Sequence, residues 1–274
     1  QALADADWRW LLLAAGAFGL AIVIGCLRWR VALHACGLQL PFWLTLRASF
    51  AGQFFNVLFF GPAGGDIAKA ALYARRGPHA LHELLASSVM DRGFSVGGSV
   101  ILGALTLGLM LQSPVLAELD YAGLVPGRVF WLALALLLLA FAVASRLGLW
   151  RWPFLRRLGK VLRGGGQSLA QRPLTALAGC LLGAAGQLLM SGVMALGLVA
   201  LSGPNPRWLD LLWAFPLINS IAAMPLTVGG AGLREGLGLV ILGHFGVSAP
   251  EVVAAGLITL AVYLGWAACG GLIV

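Results

Sequence analysis

The sequence predicts an all-α polytopic membrane protein of about six to eight membrane helices, arranged as inverted repeats around two re-entrant segments that Pro and Gly break. Only 10% of the 274 residues are charged and 60% are hydrophobic, whereas soluble domains carry roughly 25% charged residues. A backbone in lipid must satisfy its own hydrogen bonds, so it forms helices or a closed barrel. Leu and Ala dominate and strand-like alternation is absent, which favours helices. The main uncharged runs are 10–27, 48–65, 93–117, 129–145, 173–206, 211–233 and 252–274.

The charges between these runs predict the orientation of the helices. Residues 146–172 contain seven basic residues and no acid, whereas 112–128 contain two acids and one arginine. Because basic loops stay in the cytoplasm, we expect a basic cytoplasmic loop at 146–172 and an external segment at 112–128. Trp and Leu interleave with the cations of the basic loop, which suits a helix on an anionic leaflet and a solvated loop equally. Topology and anionic lipid thus explain the net charge of +8, and no nucleic-acid partner is expected.

The first re-entrant segment is predicted between two basic stretches. Residues 28–47 and 69–92 both favour the cytoplasm, and the apolar run between them is broken at Gly61-Pro62-Ala63-Gly64-Gly65. A segment with positive flanks on both sides and a break in its middle should dip into the membrane and return. Asp66 follows the break and is predicted to be the N-cap of the returning half-helix. Lys69 lies one turn further along, on the same face as Asp66.

The second half of the chain is predicted to repeat this pattern with inverted membrane topology. Span 173–206 runs outward, and the following segment, 211–245, is also broken by Pro and Gly. An Asn stands six residues before each Pro, and a Gly pair and a basic residue follow: Asn56, Pro62, Gly64, Gly65 and Lys69 in one half, and Asn219, Pro225, Gly229, Gly230 and Arg234 in the other. Broken segments at matching positions of inverted halves point to a binding site near the bilayer midplane. An ordinary bundle in which both segments span fully stays open as an alternative.

One transmembrane domain is expected over residues 1–274. Its first half covers about 8–117 and its second half about 173–274, with the basic loop between them. Small residues four apart, at Gly93/Gly97, Gly179/Gly183 and Gly232/Gly236, are interpreted as helix-packing contacts.

The charged residues near the breaks are the candidate binding residues. Arg234 and Glu235 stand just inside the second returning half-helix, and Asp91 and Arg92 are predicted to head a helix that begins near residue 88. Charges at membrane depth cost roughly 2.5–3.5 kcal/mol each, so they are paired or line an aqueous cavity. Half-helix N-termini expose N–H groups that suit phosphate. An anionic head group is therefore the expected ligand of Lys69, Arg92 and Arg234, with Asp66, Asp91 and Glu235 orienting the cations or exchanging protons. A helix end at the interface and a local ion pair remain the simpler readings of Asp91-Arg92 and Arg234-Glu235.

No catalytic set or cofactor motif is visible in the sequence. The H-x-x-H-E sequence formed by His79, His82 and Glu83 lacks a third ligand for a metal site. A phosphate-binding G-x-x-x-x-G-K-[ST] loop and a G-x-S-x-G nucleophile motif are both absent. The sequence therefore predicts no cofactor, no metal and no enzyme activity.

Three motifs in order resemble one family of membrane proteins. They are Asn56-x5-Pro62-x-Gly64-Gly65-Asp66-x2-Lys69, Ser88-x2-Asp91-Arg92, and Asn219-x5-Pro225-x3-Gly229-Gly230-x-Gly232-x-Arg234-Glu235. They resemble the transmembrane flippase domain of lysylphosphatidylglycerol synthases and its stand-alone relatives, over roughly residues 10–270. The resemblance implies a multi-pass protein of the bacterial inner membrane that moves a lipid between leaflets. The family often has Arg where this chain has Lys69, which keeps the charge but loses the bidentate fork.

Three functions of different classes follow from these observations. The leading hypothesis is flipping or scrambling of an anionic or modified lipid through a midplane polar cavity, with membrane lipids as the partners. The alternatives are a membrane-embedded enzyme that modifies a lipid or polyprenyl carrier, and a non-transporting scaffold beside a lipid-synthesising enzyme. Lipid aminoacylation is not carried over, because the soluble aminoacyl-transferase domain of the full-length synthases is not part of this sequence. The cargo stays open.

Overall fold

The computed structural model describes residues 7–59, 62–75, 78–112, 152–203, 214–222, 233–243 and 245–273. These residues form helices joined by short connections, which confirms the predicted helical class. Numbered along the chain, the described helices are α1 Trp8–Ala35, α2 Phe42–Leu58, α3 Pro62–Ala74, α4 Leu81–Gln112, α5 Pro153–Gln171, α6 Pro173–Ser202, α7 Ala214–Ala222, α8 Leu233–Gly243 and α9 Ala249–Gly271.

Three of the described helices, α1, α6 and α9, are long and apolar enough to cross a membrane. Local sequence signals start two of them. The Asp7 side chain accepts a hydrogen bond from the Arg9 backbone N–H at 2.9 Å at the start of α1. Ser248 and Glu251 form a reciprocal capping box at the start of α9. Part of each of these helices is buried against the rest of the protein.

Glycines allow α4 and α6 to pack closely. A Cβ at Gly179 would lie 2.7 Å from the Phe94 ring, and a Cβ at Gly97 would lie 2.7 Å from Cys180 Sγ. A Cβ at Gly183 would meet the Phe94 carbonyl oxygen. The packing role predicted for Gly97, Gly179 and Gly183 is thereby confirmed. At Gly93 and Gly236 no described atom lies where a Cβ would be, so the packing prediction is not borne out for them among the described residues, while Gly232 lies outside these residues.

The contacts between helix ends give the directions of the long helices. The Asp7 N–H donates to the Ala200 carbonyl at 3.0 Å, so the start of α1 meets the end of α6 and the two helices are antiparallel. Near its other end, α1 meets the first half of α4 through Arg28 and Asp91. There α5 also docks, because Gly165 is buried against Cys36 and Met90. We call this end of the bundle, marked by Cys36, Met90 and α5, the basic end.

Helices α2 and α3 form a hairpin that begins and finishes at the basic end. Helix α2 ends at Leu58, and α3 folds back so that Gly65 lies against Gly52 and Asn56 of α2. At the far side of the pair, the α1–α2 and α3–α4 connections meet, since a His79 ring nitrogen lies 3.3 Å from the Gln39 carbonyl oxygen.

Helices α7 and α8 are arranged the opposite way. Residues from the start of α7 and the end of α8 share one buried apolar cluster with the end of α6 and the start of α9: Met194, Leu198, Ala214, Phe215, Ile218, Leu237, Ile241, Leu242, Phe245, Val252 and Ala255. Ser202 at the end of α6 also donates a hydrogen bond to Glu251 in α9. This pair therefore begins and finishes at the end of the bundle opposite the basic end.

The basic loop contains a helix whose apolar side packs on the protein. The side chains of Leu155, Leu158 and Leu162 are half-buried, and α5 contacts α1, α4 and α6. The cations of the opposite side are exposed, as are the aromatic rings at its start, and together they form what we call the α5 cationic face: Trp152, Phe154, Arg156, Arg157, Lys160 and Arg163. A helix in this loop is thus confirmed, while its contact with an anionic leaflet stays a prediction.

Two predicted helix starts are wrong. Asp66 is not the N-cap of α3, because that helix begins four residues earlier at Pro62, a residue type favoured in the first turn. Asp91 and Arg92 do not head a helix either. Glu83 accepts a hydrogen bond from the Ala80 N–H at 2.8 Å and so helps to start α4 at Leu81. The carboxylates of Asp66 and Asp91 are therefore free to make tertiary ion pairs.

Candidate functional site

Asp66 holds two cations from different helices. Its Oδ1 lies 2.7 Å from Lys69 Nζ, one turn further along α3. Its Oδ2 accepts from Arg92 Nη2 at 2.7 Å and from Arg92 Nε at 2.9 Å. The shared face predicted for Asp66 and Lys69 is thus confirmed, and the contact to Arg92 joins α3 to α4.

A second ion pair joins α1 to α4. Arg28 Nε donates to Asp91 Oδ1 at 2.7 Å, and Arg28 Nη2 donates to Asp91 Oδ2 at 3.1 Å. This fork-to-fork geometry is the strongest arrangement of guanidinium and carboxylate. Arg28 stands seven residues before Ala35, the last residue of α1, which is about 10 Å along a helix. We call Arg28, Asp66, Lys69, Asp91 and Arg92 the charged cluster.

The Lys69 ammonium group has an aromatic partner as well as a carboxylate. It lies 4.4 Å from the centroid of the Trp29 ring, within cation–π range. Trp29 is 1% exposed, and its Nε1 donates to Ser87 Oγ at 3.0 Å. Ser87 Oγ in turn donates to the Leu84 carbonyl at 2.7 Å. The ring orientation is therefore set by buried hydrogen bonds, which hold the Lys69 side chain in place.

Solvent exposure divides the charged cluster into largely buried side chains and one half-exposed side chain. The side chains of Lys69 and Asp91 are 9% and 8% exposed, and those of Arg28 and Asp66 are 16% and 17% exposed, whereas that of Arg92 is 48% exposed. Desolvated charges are strongly coupled to their partners. Arg92 is therefore the group of the cluster that most readily meets a ligand.

Ser88 supplies a buried hydroxyl beside the cluster. Ser88 is 3% exposed, and its Oγ makes no hydrogen bond within the described residues. Asp91 and Arg92 follow it by three and four residues on α4, so the three lie on one helix face. Buried polar groups are normally hydrogen-bonded, and this hydroxyl can donate to an oxygen of a bound group.

The predicted residues Asn56, Gly64 and Gly65 shape the hairpin. Asn56 Oδ1 accepts a hydrogen bond from the Gly65 N–H at 3.0 Å, which ties the start of α3 to α2. A Cβ at Gly64 would meet the Phe59 side chain, and one at Gly65 would meet Asn56 and the Gly52 carbonyl. Pro62 is the first residue of α3. These four residues thus set the position of α3, on which Asp66 and Lys69 lie.

The predicted residues of the second half are placed only in part. Asn219 lies in α7, while Pro225, Gly229 and Gly230 lie outside the described residues. Arg234 and Glu235 are the second and third residues of α8, which confirms that they stand just inside a helix, while the return of this helix in a re-entrant segment stays a prediction. Helix α7 packs against α4 as well as α6 and α8. Whether Arg234 reaches the charged cluster stays a prediction, because its side chain is outside the described part.

Sequence reasoning missed Arg28, Trp29 and Ser87 as site residues. In the sequence, Arg28 and Trp29 belong to the basic stretch 28–47 that follows the first apolar run. Their pairing with α4 joins residues 63 and 58 positions apart, and such contacts have no local signature. The one signal in the sequence is the position of Arg28 at the edge of an apolar span, because a charge at membrane depth is costly and is usually paired.

Within the described residues, the charged cluster has three cations and two carboxylates. Among the described residues no group of three or more His, Cys, Asp or Glu could hold a metal ion. His79 and Glu83 lie 4.0 Å apart, near the connection between α3 and α4.

The comparison with known families agrees with this architecture. The model of the lysylphosphatidylglycerol synthase TM region matches residues 1–270. No curated protein and no solved structure matches the chain significantly. The family is a membrane domain associated with lipids, in keeping with the apolar helices. The chain therefore belongs to the family of lysylphosphatidylglycerol synthase transmembrane regions.

Proposed function

We propose that the protein moves an anionic or modified lipid from one leaflet of a bacterial inner membrane to the other. The observation that carries the proposal is the charged cluster, in which the half-exposed Arg92 and the buried Lys69 lie on one carboxylate, beside the buried Ser88 hydroxyl. A guanidinium fork and an ammonium group together suit the oxygens of a phosphate. A lipid head group would supply that phosphate, while the acyl chains stay in the bilayer.

The two helical pairs support a transport mechanism of alternating access. The α2–α3 pair begins and finishes at the basic end, and the α7–α8 pair begins and finishes at the opposite end. Each pair is framed by two longer helices, α1 and α4 or α6 and α9. This order is the one expected of inverted repeats with re-entrant segments, which rock around a shared site. The helices of α2 and α3 have 17 and 13 residues, lengths of about 26 and 20 Å, short of a hydrocarbon core about 30 Å thick.

Arg92 and Lys69 would take the head group together. Arg92 offers a half-exposed fork that matches phosphate oxygens. On binding, phosphate would replace Asp66 as the partner of Arg92, and Ser88 would donate to a further oxygen. Asp66 would keep Lys69 in place during this exchange. The pair of Arg28 and Asp91 would hold α1 and α4 together throughout.

A reconstituted translocation assay tests the proposal. The whole protein is placed in vesicles that contain a fluorescent phosphatidylglycerol or a fluorescent phosphatidylcholine, and an external quencher reports the fraction in the outer leaflet over time. We expect faster exchange of the anionic lipid than in empty vesicles, and at least tenfold less acceleration with Lys69→Met. Arg9→Gln, a change at the opposite end of the bundle, should leave the rate unchanged.

Other outcomes favour the alternatives. No acceleration for any anionic lipid, from protein that is folded by circular dichroism, would contradict transport. A chemically altered lipid after incubation with an activated donor would favour the enzyme. Full cellular function of Lys69→Met would favour the scaffold.

A further inference from the structure

A cavity lies beside the charged cluster at the basic end. Its volume is about 360 Å³, and it is bounded by the α1–α2 connection, α2, the end of α3, the α3–α4 connection and Ile273 near the C-terminal end of the sequence. This volume falls within the range of small-ligand sites, roughly 300–1,000 Å³. It suffices for a head group with its glycerol and the first carbons of a chain.

The lining of the cavity is amphipathic. Leu40, Leu44, Leu72 and Leu84 form an apolar wall, and Arg47 contributes a cation. A free inorganic anion gains nothing from an apolar wall. A lipid head group with its first acyl carbons needs both a cation and an apolar surface.

Arg47 is the cation of the cavity lining that the structure describes. It is exposed, and no ion pair to it occurs among the described residues. The described lining residues include no Asp or Glu. Glu83, which neighbours the lining residue His79, is occupied by the Ala80 N–H at 2.8 Å and by the His79 ring at 4.0 Å. As far as the described residues go, an anion in the cavity would meet Arg47 without a competing carboxylate.

The cavity and the charged cluster share helix faces. Tyr73, which lines the cavity, lies one turn beyond Lys69 on α3, and both are buried. On α2, Ala51 lines the cavity, while a Cβ on its neighbour Gly52 would lie 3.8 Å from Lys69 Cδ. A group leaving the cavity along the α2–α3 pair thus meets Lys69 within about one helical turn, or 5.4 Å.

We propose that this cavity is a separate loading site for the phosphate and glycerol of an anionic lipid. Arg47 binds the phosphate, His79 and Tyr73 lie on its polar side, and the leucines take the first part of an acyl chain. The binding itself is independent of transport. Only its place before the charged cluster in the order of events rests on the proposed function.

Native mass spectrometry of the full chain in detergent tests the inference. The probe is dioctanoyl phosphatidylglycerol, titrated against the wild type, Arg47→Gln, Leu44→Trp and Lys69→Met. We expect two bound lipids per wild-type chain and one in each variant, with the lost site weakened about tenfold or more, equal to about 1.4 kcal/mol. Arg9→Gln, which removes an exposed cation at the opposite end of the bundle, should bind as the wild type does.

The two substitutions of the cavity act by different means. Arg47→Gln removes the charge of an exposed residue and leaves the wall, while Leu44→Trp fills the space and leaves the charge. Loss of one site in both, with circular dichroism unchanged, supports the cavity. If Leu44→Trp does not fold, Arg47→Gln alone decides.

Further titrations distinguish an anionic lipid from a zwitterionic lipid and from free inorganic phosphate. Dioctanoyl phosphatidylcholine at equal concentration should bind the cavity at least tenfold more weakly, and inorganic phosphate should not displace the lipid. Displacement by inorganic phosphate at concentrations similar to those of the lipid would identify a free-anion site and overturn the inference. Unchanged number and affinity of bound lipids in Arg47→Gln would also overturn it. Loss of a lipid in Arg47→Gln from a chain that transports nothing would support the cavity and contradict the transport function alone.

Discussion

Asp66 shares its carboxylate between a buried and an accessible cation, and this asymmetry is the central feature at the scale of residues. Lys69 is enclosed by Asp66 and the Trp29 ring, whereas Arg92 is half-exposed. A ligand phosphate can therefore replace Asp66 at Arg92 without exposing an unpaired ammonium group.

Removal of the Asp66 charge should cost stability and transport together. In Asp66→Asn the buried Lys69 loses its counter-ion, and loss of one partner of a buried pair costs about 3 kcal/mol. Thermal unfolding in detergent should shift to lower temperature, and translocation should fall at least tenfold.

The double variant Asp66→Asn with Lys69→Met separates the two effects. It removes both charges of the pair and replaces them with groups of similar size, so most of the lost stability should return. Translocation should stay lost, because the cation that meets the head group is gone. Recovery of transport in the double variant would show that Lys69 does not act on the cargo.

The sequence predicted the local part of this residue-scale picture and not the tertiary part. Asp66 and Lys69 are three residues apart on one helix, so their contact follows from helix geometry. The N-cap assignment of Asp66 was wrong because Pro62 starts the helix before the glycines rather than after them. Arg28 and Trp29 reach the site only through the packing of α1 on α4, which no local pattern encodes.

At the scale of elements, the α2–α3 pair depends on the absence of side chains at its contact. Gly65 of α3 lies directly on Asn56 and Gly52 of α2, and its N–H is bonded to Asn56 Oδ1. The break itself was predictable from Pro62 and the glycines. The close contact of α3 with α2 required the structure, and whether this pair is re-entrant in a membrane stays a prediction.

Gly65→Ala should force α3 away from α2. Overpacking of this kind costs about 1–3 kcal/mol, and the displaced α3 carries Asp66 and Lys69. We expect a lower unfolding temperature and slower translocation. Gly103→Ala is the matched control, since a Cβ there meets open space on α4, and it should change neither quantity. Equal behaviour of the two variants would mean that the α2–α3 contact is not close in the membrane.

The α5 cationic face should bind an anionic leaflet. Exposed basic side chains near such a surface contribute about 1 kcal/mol each, and four of them lie on α5. We expect added phosphatidylglycerol to raise the unfolding temperature of the wild type in zwitterionic nanodiscs, and to raise it much less when Arg156, Arg157, Lys160 and Arg163 are all changed to Gln. An equal rise in both proteins would place this face away from the lipid.

At the scale of the whole molecule, the two helical pairs open to opposite ends of the bundle. Charge patterning predicted that the α1–α2 and α3–α4 connections and α5 lie on one side, and these elements do gather at the basic end. The inverted repeats, the re-entrant segments and the cytoplasmic side stay predictions. The sequence could not show how near the two pairs come to each other, since that depends on the packing of α7 against α4 and α6.

The distance between the tips of the two pairs tests the account most directly. Spin labels at Phe59→Cys, beside the break of the first pair, and at Ala222→Cys, the last residue of α7, can be measured by electron paramagnetic resonance in nanodiscs, with the four native cysteines replaced. If opposed re-entrant pairs meet in the middle of the bilayer, the labels should lie within about 15 Å, half the thickness of the hydrocarbon core. A separation of about 30 Å, the full thickness, would contradict a shared site.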